Sequence, residues 1–191
     1  TNAALWFLFI SALIFMLGMY DDFNRINPAT KLVGQIIVAV TAIFAGYTLE
    51  FTGWPAVDFF ISAVWIVGMT NALNLLDNMD GLAGGVGLIA CAYLIFFFIV
   101  GQDLPHAGIA LALAGAVGGF LIFNFYPASI FMGDAGSLFL GASLGLLAIK
   151  AQGQASNVFS IVAVPALILM VPILDTLLVS LTRLLRGEPV S

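Results

Sequence analysis

Charged side chains are scarce in this 191-residue sequence: Lys, Arg, Asp and Glu make up 8% of it, against about 25% in an ordinary soluble domain. Hydrophobic residues make up 62%, and the mean hydropathy is +1.16. A soluble fold of this length cannot bury that much apolar surface. The lack of charge therefore excludes a soluble domain and predicts a membrane protein.

Cysteine and histidine are also scarce, since Cys91 and His106 are the only residues of their types. They cannot form a disulfide framework or a Cys/His zinc site, and we interpret both as structural. The chain starts without an initiator Met or a basic segment ahead of its first apolar run. That run therefore predicts a true span and not a signal peptide.

Long apolar runs fill the rest of the chain. A spanning helix needs about 20 mostly apolar residues, within a range of about 17 to 25. About seven stretches qualify, at 3–20, 31–49, 57–71, 82–100, 107–125, 138–149 and 158–181. The sixth is short for a span, and Pro165 and Pro172 predict a kink in the seventh. The predicted fold class is all-α, a polytopic membrane helix bundle in which residues 1–191 form one transmembrane domain.

Aspartates lie in the polar breaks after the first, third and fifth predicted spans. These residues are Asp21, Asp22, Asp77, Asp80 and Asp134. Alternate breaks lie on the same side of a bilayer, so all five are predicted on one face. With seven spans, that face also holds Arg25, Lys31, Arg183 and Arg186, while Lys150 lies opposite. The positive-inside rule then makes it the cytoplasmic face of the cell membrane.

Two glycine pairs, Gly115 with Gly119 and Gly141 with Gly145, have the spacing that lets helices approach closely in lipid. We interpret both pairs as packing devices.

The first polar motif is DDFNRINPATKL, in which Asp21 and Asp22 end a span and Lys31 begins the next. Two adjacent carboxylates repel each other unless a cation or a shared proton lies between them. The alternative interpretation is a solvated, Asp-rich helix boundary.

The second motif, NALNLLDNMDGLAGG, places Asn71, Asn74 and Asp77 three residues apart, so a continuing helix would present them on one face. Asp77 or Asp80 could simply be the N-cap of the fourth helix. An N-cap leaves the two asparagines unexplained, and a polar stripe in an apolar span is costly unless it faces water or a ligand.

The third motif, NFYPASIFMGDAGSLFLG, has Asn124 at the end of the fifth span and Asp134 in a turn between Gly133 and Gly136. The glycines would let a backbone or ligand approach closely. Asp134 or Ser137 could instead be the N-cap of the sixth helix.

Together the three motifs form an anionic pocket in which the loops offer only Arg25 and Lys31 as cations. Oxygen ligands without Cys or His favour Mg²⁺, or Mn²⁺. Mg²⁺ usually takes one or two carboxylates and fills its other positions with water and substrate phosphate. The motifs therefore predict phosphoryl chemistry at a membrane surface, and no nucleic-acid partner is expected.

The chain resembles the polyprenyl-phosphate N-acetylhexosamine-1-phosphate transferases, which include phospho-N-acetylmuramoyl-pentapeptide transferase. The resemblance covers nearly the whole chain. It rests on the DD pair followed by KLVGQ, on TNALNLLDNMDGLAGG, on NFYPASIFMGDAGSLFLG and on VPILDTLLVSLTRLLRG, in the family's order. It implies a ten-span enzyme of which this chain would be the third to ninth spans, without the His-rich cytoplasmic loop.

The implied reaction moves a sugar 1-phosphate, most simply N-acetylglucosamine 1-phosphate, from a UDP-sugar to undecaprenyl or another polyprenyl phosphate. UMP is released, Mg²⁺ is used, and cell-envelope polysaccharide synthesis begins. A phospho-N-acetylmuramoyl-pentapeptide donor is the alternative, and a homodimer stays open.

The resemblance also implies roles for individual residues. Asp21, Asp22 and Asp77 match catalytic acids, the first two of them proposed to deprotonate or orient the lipid phosphate. Asp134 matches the principal metal ligand, and Asn74 a second one. The implied substrate-binding residues are Lys31, Asn71, Asn74, Asp80 and Asn124.

The chain departs from the family pattern at three positions. Asn78 and Met79 replace residues of the usual DGLDGLA, but both acids of that motif are kept. Arg25 stands where the pentapeptide-transferring branch typically has Lys, which favours a simple UDP-N-acetylhexosamine donor.

Two other classes of function stay open at this point. A transporter or channel also uses intramembrane carboxylates, although a pathway should place acids at several depths. A non-catalytic scaffold would keep the fold without the chemistry. Asp175 lies inside the seventh predicted span, and we interpret it as paired across helices in preference to catalytic.

Overall fold

The computed structural model describes residues 2–50 and 52–152, and these residues form six α-helices and no β-strand. The helices are α1 (Asn2–Asn24), α2 (Pro28–Phe44), α3 (Pro55–Leu76), α4 (Leu82–Val100), α5 (Leu104–Asn124) and α6 (Gly133–Ala151). All except α2 are long and apolar enough to cross a membrane. The predicted all-α membrane bundle is confirmed, whereas the predicted seventh span, with Asp175, lies outside the described residues.

The predicted boundaries hold best for α4, which spans 82–100 as expected. Helix α3 continues to Leu76, beyond the predicted end near residue 71, so Asn71 and Asn74 lie within it. Helix α2 begins earlier than predicted, because Asn27 caps it by accepting a hydrogen bond from the Ala29 amide at 2.9 Å. It ends at Phe44, so its 17 residues extend only about 25 Å at 1.5 Å per residue.

Helix α6, the weakest of the predicted spans, is the central helix of the bundle. It has 19 residues, packs against α1, α3 and α4, and is buried along most of its length. The sequence understates α6 because GDAGS has the composition of a turn, yet the helix already begins at Gly133. Helix α5 packs mainly on α4, and α2 packs on α1 and α3. The first turn of α6 lies beside the end of α1, the start of α2 and the end of α3.

The glycines of α6 allow the close packing that the sequence predicted. A Cβ at Gly141 would lie 2.6 Å from the Met69 carbonyl oxygen and 2.8 Å from Thr70 Cα, both in the backbone of α3. A Cβ at Gly145 would lie 3.2 Å from Met69 Cβ. The other pair makes no such contact among the described residues, since no described atom lies within 4 Å of a Cβ at Gly115 or Gly119.

The difference between the two pairs gives a matched test. We expect Gly141→Ala to lower the free energy of unfolding by about 1 to 3 kcal/mol, because the added methyl group meets backbone that cannot turn aside. Gly115→Ala makes the same change in open space and should be neutral or slightly stabilising. Unfolding of the purified protein in mixed micelles measures both effects. Equal losses for the two variants would contradict the packing.

The end of the bundle that carries Lys150 is held together by contacts between loops and helix ends. Lys150 Nζ donates to the Gly46 carbonyl at 2.7 Å and lies 4.5 Å from the centre of the Tyr47 ring. The Glu50 backbone and the Gln152 side chain exchange two hydrogen bonds, of 3.1 and 2.9 Å. These contacts fix the C-terminal end of α6. Its first turn lies at the opposite end of the bundle.

Candidate active site

Asp134 lies in the first turn of α6 and joins three helices. Its Oδ2 accepts a hydrogen bond from Lys31 Nζ of α2 at 2.7 Å, and its Oδ1 accepts one from Asn74 Nδ2 of α3 at 2.6 Å. These residues are 103 and 60 positions from Asp134 in the sequence. The structure therefore brings together residues from all three sequence motifs.

Lys31 also forms an ion pair with Asp21, whose Oδ2 is 2.7 Å from its ammonium nitrogen. Asp21 is buried, and its Oδ1 accepts a hydrogen bond from the Ile26 amide at 2.8 Å. Since one carboxylate oxygen is held by the loop backbone, the other is fixed towards Lys31. The ammonium group is thus held between the carboxylates of Asp21 and Asp134.

Asp22 contacts the backbone of α6. Its Oδ1 accepts a hydrogen bond from the Asp134 amide at 2.8 Å, and its Oδ2 accepts one from the Ala135 amide at 3.0 Å. The N-cap residue of α6 is Met132, which makes no side-chain cap. The alternative that Asp134 or Ser137 is the N-cap is therefore wrong, because Asp22 supplies the cap from another helix.

The polar stripe of α3 divides into two sets of contacts. Asn74 Nδ2 donates to Asp134 and, at 2.9 Å, to Ser137 Oγ, which in turn donates to the Gly133 carbonyl. Asn71 pairs instead with Gln35 of α2: Asn71 Nδ2 donates to Gln35 Oε1 at 2.6 Å, and Gln35 Nε2 donates back at 3.2 Å. Asn74 therefore touches the acidic cluster, while Asn71 ties α3 to α2.

Asp77 is the C-cap residue of α3, half-buried beside two other carboxylates. Burial raises the pKa of Asp77 to about 6, and the negative charges of Asp134 and Asp22 act in the same direction. The Gly133 amide donates to the Asp77 carboxylate and partly opposes this shift. The direction of the shift thus reflects mainly the burial of Asp77 and, second, its closeness to Asp134 and Asp22.

This shift predicts a pH-dependent stability for the metal-free protein. Because the pKa of Asp77 is higher in the folded than in the unfolded protein, its protonated form favours the folded state. This contribution to stability is fully present below about pH 3.8, the unfolded pKa, and is lost as the pH rises through about 6, the folded pKa. We expect Asp77→Asn to unfold at a higher temperature than wild type in EDTA, with a difference that grows between pH 4 and pH 8. Because the group is half exposed, solvent screening reduces the effect to about 1 kcal/mol. A difference that stays constant or shrinks over this range would contradict the assigned shift.

Asp80 and Asn124 connect the two loops beside the cluster. Asp80 Oδ2 accepts a hydrogen bond from the Ala128 amide at 3.0 Å. Asn124 is buried, and its amide group accepts from the Gly81 amide at 3.0 Å and donates to the Ile130 carbonyl at 2.9 Å. Neither acid of the second motif caps α4, whose N-cap is Gly81 with a φ of 72°. The N-cap alternative for Asp77 and Asp80 is therefore wrong.

Ser137 contacts Asn74 within the site, and Gln35 borders it through Asn71, but sequence reasoning gave a site role to neither of them. Gln35 had a signal, because it follows Lys31 by four residues, one helical turn, in an otherwise apolar run. Ser137 was considered only as a cap. Its contact with Asn74 had no local signal, since the two residues are 63 positions apart.

The donor set fits a hard divalent cation. Asp77 and Asp134 supply carboxylate oxygens, and Asp22 adds negative charge beside them. No group of three or more His, Cys, Asp and Glu arranged to hold a metal occurs in the part of the chain that the structure describes. Such a set is not required for Mg²⁺, which commonly takes one or two carboxylates and completes its shell with water and phosphate.

Comparison with known proteins extends these observations. The model of glycosyl transferase family 4 matches residues 4–152. An enzyme named "Probable undecaprenyl-phosphate N-acetylglucosaminyl 1-phosphate transferase" from Bacillus subtilis (strain 168) is 36% identical over 190 residues, covering 94% of this chain and 52% of that protein. The decaprenyl-phosphate N-acetylglucosaminephosphotransferase of Mycolicibacterium smegmatis is 33% identical, covering 92% of this chain and 50% of that protein.

A third relative comes from the pentapeptide-transferring branch. The phospho-N-acetylmuramoyl-pentapeptide-transferase of Moorella thermoacetica is 51% identical over 165 residues, covering 73% of this chain and 50% of that protein. The chain thus spans about half the length of the curated relatives it matches. The family model covers most of the chain and includes all three aspartate motifs. The chain therefore belongs to glycosyl transferase family 4.

Proposed function

We propose that this chain carries the site at which an N-acetylhexosamine 1-phosphate, most simply N-acetylglucosamine 1-phosphate, passes from a UDP-sugar to undecaprenyl or another polyprenyl phosphate. The observation that carries the proposal is the junction of Lys31, Asn74 and Asp134, where one ammonium group and one amide hold a carboxylate among three further aspartates. Such a cluster is suited to binding phosphate groups together with a divalent cation. The named activities of the relatives supply the reaction.

In this mechanism an oxygen of the lipid phosphate attacks the β-phosphorus of the UDP-sugar, and UMP leaves. Mg²⁺ would be held by Asp134 and the side-chain carbonyl oxygen of Asn74, with the Asp77 carboxylate beside them as a further ligand, and would neutralise negative charge on the pyrophosphate. Lys31 is held by Asp21 and Asp134, so it can meet phosphate oxygens without having to be ordered first. Positioning and charge neutralisation supply most of the rate in phosphoryl transfer.

The placement of acids supports an enzyme over a transporter. Every Asp and Glu in residues 2–50 and 52–152 lies in a loop or at a helix end, and none lies in the middle of a helix. Asp58, the buried acid outside the cluster, belongs to the first turn of α3 and accepts hydrogen bonds from Thr52 and Gly53. An ion pathway would need acids at intermediate depths. The cluster instead suits a surface site, and the positive-inside rule supports the cytoplasmic face for it.

The pentapeptide-bearing donor is the second candidate, because the relative from Moorella thermoacetica is the more similar over the part that it covers. Arg25 favours the simple donor. A panel of UDP-N-acetylglucosamine and UDP-N-acetylmuramoyl-pentapeptide with undecaprenyl phosphate, in membranes that contain the full-length protein, separates the two. We expect labelled sugar to enter lipid with Mg²⁺ and not with EDTA. No transfer from either donor, in a folded protein, would contradict the proposal.

A further inference from the structure

One face of α1 contacts the backbone of α6 directly. Gly18 and Asp22 lie one helical turn apart on α1. A Cβ at Gly18 would lie 2.5 Å from the Asp134 carbonyl oxygen and 2.6 Å from Ala135 Cα, so any side chain at this position would displace the first turn of α6. The absence of a side chain at Gly18 is therefore what allows the two helices to meet here.

Asp22 completes this contact with hydrogen bonds. The first amides of a helix have no partner within the helix, and a carboxylate at this end is favoured by the helix dipole. Asp22 binds the amides of Asp134 and Ala135 with one oxygen each. Gly133 has a φ of 65°, and a Cβ there would lie 3.0 Å from Asp22 Oδ2. Gly133 thus leaves space for this carboxylate, as Gly18 leaves space for the α6 backbone.

We propose that Asp22 is a positioning residue: with Gly18 it forms a cradle on α1 that fixes the first turn of α6 and so the carboxylate of Asp134. Asp22 does not act as a base towards the lipid phosphate. The catalytic consequence rests on the proposed function, whereas the cradle itself does not.

The chemistry of the acceptor agrees with this assignment. A phosphate monoester has a second pKa near 6, so it is already largely ionised at neutral pH and needs no strong base. The two adjacent acids then have different tasks. Asp21 orients the side chain of Lys31, and Asp22 holds the backbone that carries Asp134.

Two substitutions at Asp22 distinguish a helix-capping role from the role of a general base. Asparagine keeps one acceptor oxygen, so it can still bind one of the two amides, but it cannot take up a proton. Alanine keeps neither hydrogen bond and cannot act as a base. Hydrogen–deuterium exchange of the full-length protein in micelles should be about fivefold faster at residues 133–138 in Asp22→Ala, the effect of losing one cap. In Asp22→Asn the exchange should be faster than in wild type but slower than in Asp22→Ala, because one of the two hydrogen bonds can remain. Asp103→Ala, which removes the cap of α5, should leave exchange at residues 133–138 unchanged.

Transfer activity should follow the same order. We expect Asp22→Ala to lower kcat about a hundredfold, the cost of misplacing a reacting group by about 1 Å. Asp22→Asn should keep more activity than Asp22→Ala, and Gly18→Ala should lower kcat although it leaves every charge in place. Weaker Mn²⁺ binding in Asp22→Ala than in Asp22→Asn, measured by electron paramagnetic resonance, provides a readout that needs no turnover.

Two results would overturn the proposal. Unchanged exchange in Asp22→Ala would show that Asp22 does not cap α6. Equal loss of kcat in Asp22→Asn and Asp22→Ala, with slower exchange in the former than in the latter, would give Asp22 a chemical role. A wild-type protein without transfer activity would instead contradict the proposed function, and the exchange and Mn²⁺ measurements would still test the cradle.

Discussion

Replacing Asp134 with alanine is expected to reduce sugar-phosphate transfer by about a thousandfold, the upper range for loss of one electrostatic contact in a preorganised site. The change removes the carboxylate that joins Lys31 of α2 to Asn74 of α3, together with the principal metal ligand of the proposed mechanism. Asp134→Asn should lose nearly as much activity, because the amide keeps the shape of the side chain but not its charge. Initial rates in membranes at saturating Mg²⁺ measure both variants.

Asp103→Asn is the matched control for these variants. Asp103 also begins a helix, accepting a hydrogen bond from the His106 amide at 3.3 Å in the first turn of α5, but it belongs to the opposite end of the bundle. Asparagine can keep this cap, so activity should stay near wild type. Full Mg²⁺-dependent transfer by Asp134→Ala would refute the metal assignment.

Replacing Lys31 with methionine is expected to lower transfer by about a hundredfold or more. The ammonium group is 2.7 Å from one carboxylate oxygen of Asp21 and 2.7 Å from one of Asp134, so its loss leaves both acids without their cation. Lys31→Arg should keep more activity, since the planar guanidinium group can still face two carboxylates. The kcat values of the two variants, compared at equal protein abundance, test the role of the ion pairs that Lys31 forms with Asp21 and Asp134.

Lys150→Met provides the comparison at the other end of α6. This lysine holds the Gly46 carbonyl and lies over the Tyr47 ring, outside the acidic cluster. We expect the Lys150→Met substitution to lower the unfolding temperature while kcat stays near wild type. If Lys31→Met lost stability but kept its kcat, Lys31 would be a structural residue, and the account of the site would be wrong.

Much of the fold follows from sequence because length and hydropathy are local properties. Helix α4 was predicted to its ends, and parity alone placed Asp21, Asp77 and Asp134 at one end of the bundle, where the structure has them. The extent of α6 was not predictable in this way. Its first turn is polar and glycine-rich, and it is helical because α1 supplies the cap from 112 residues away.

The detailed contacts of the site could not be predicted for the same reason, because they join residues that are far apart in the sequence. The spacing of Asn71, Asn74 and Asp77 predicted a shared helical face, but not that Asn71 would pair with Gln35 while Asn74 meets Asp134. The glycine pairs at 115–119 and 141–145 have the same spacing, yet only the second contacts another helix among the described residues. Which face of a helix is covered depends on its neighbours, and spacing within one helix does not encode this.

The most direct test of the central claim follows two labels at once. UDP-N-acetylglucosamine carrying ³²P in its β-phosphate and ³H in its sugar is incubated with undecaprenyl phosphate and membranes that contain the full-length protein. We expect both labels to enter the lipid in equal amounts, with Mg²⁺ only, and UMP to appear in the same amount. Entry of ³H without ³²P, accompanied by UDP, would mean transfer of the sugar alone and would contradict attack at the β-phosphorus.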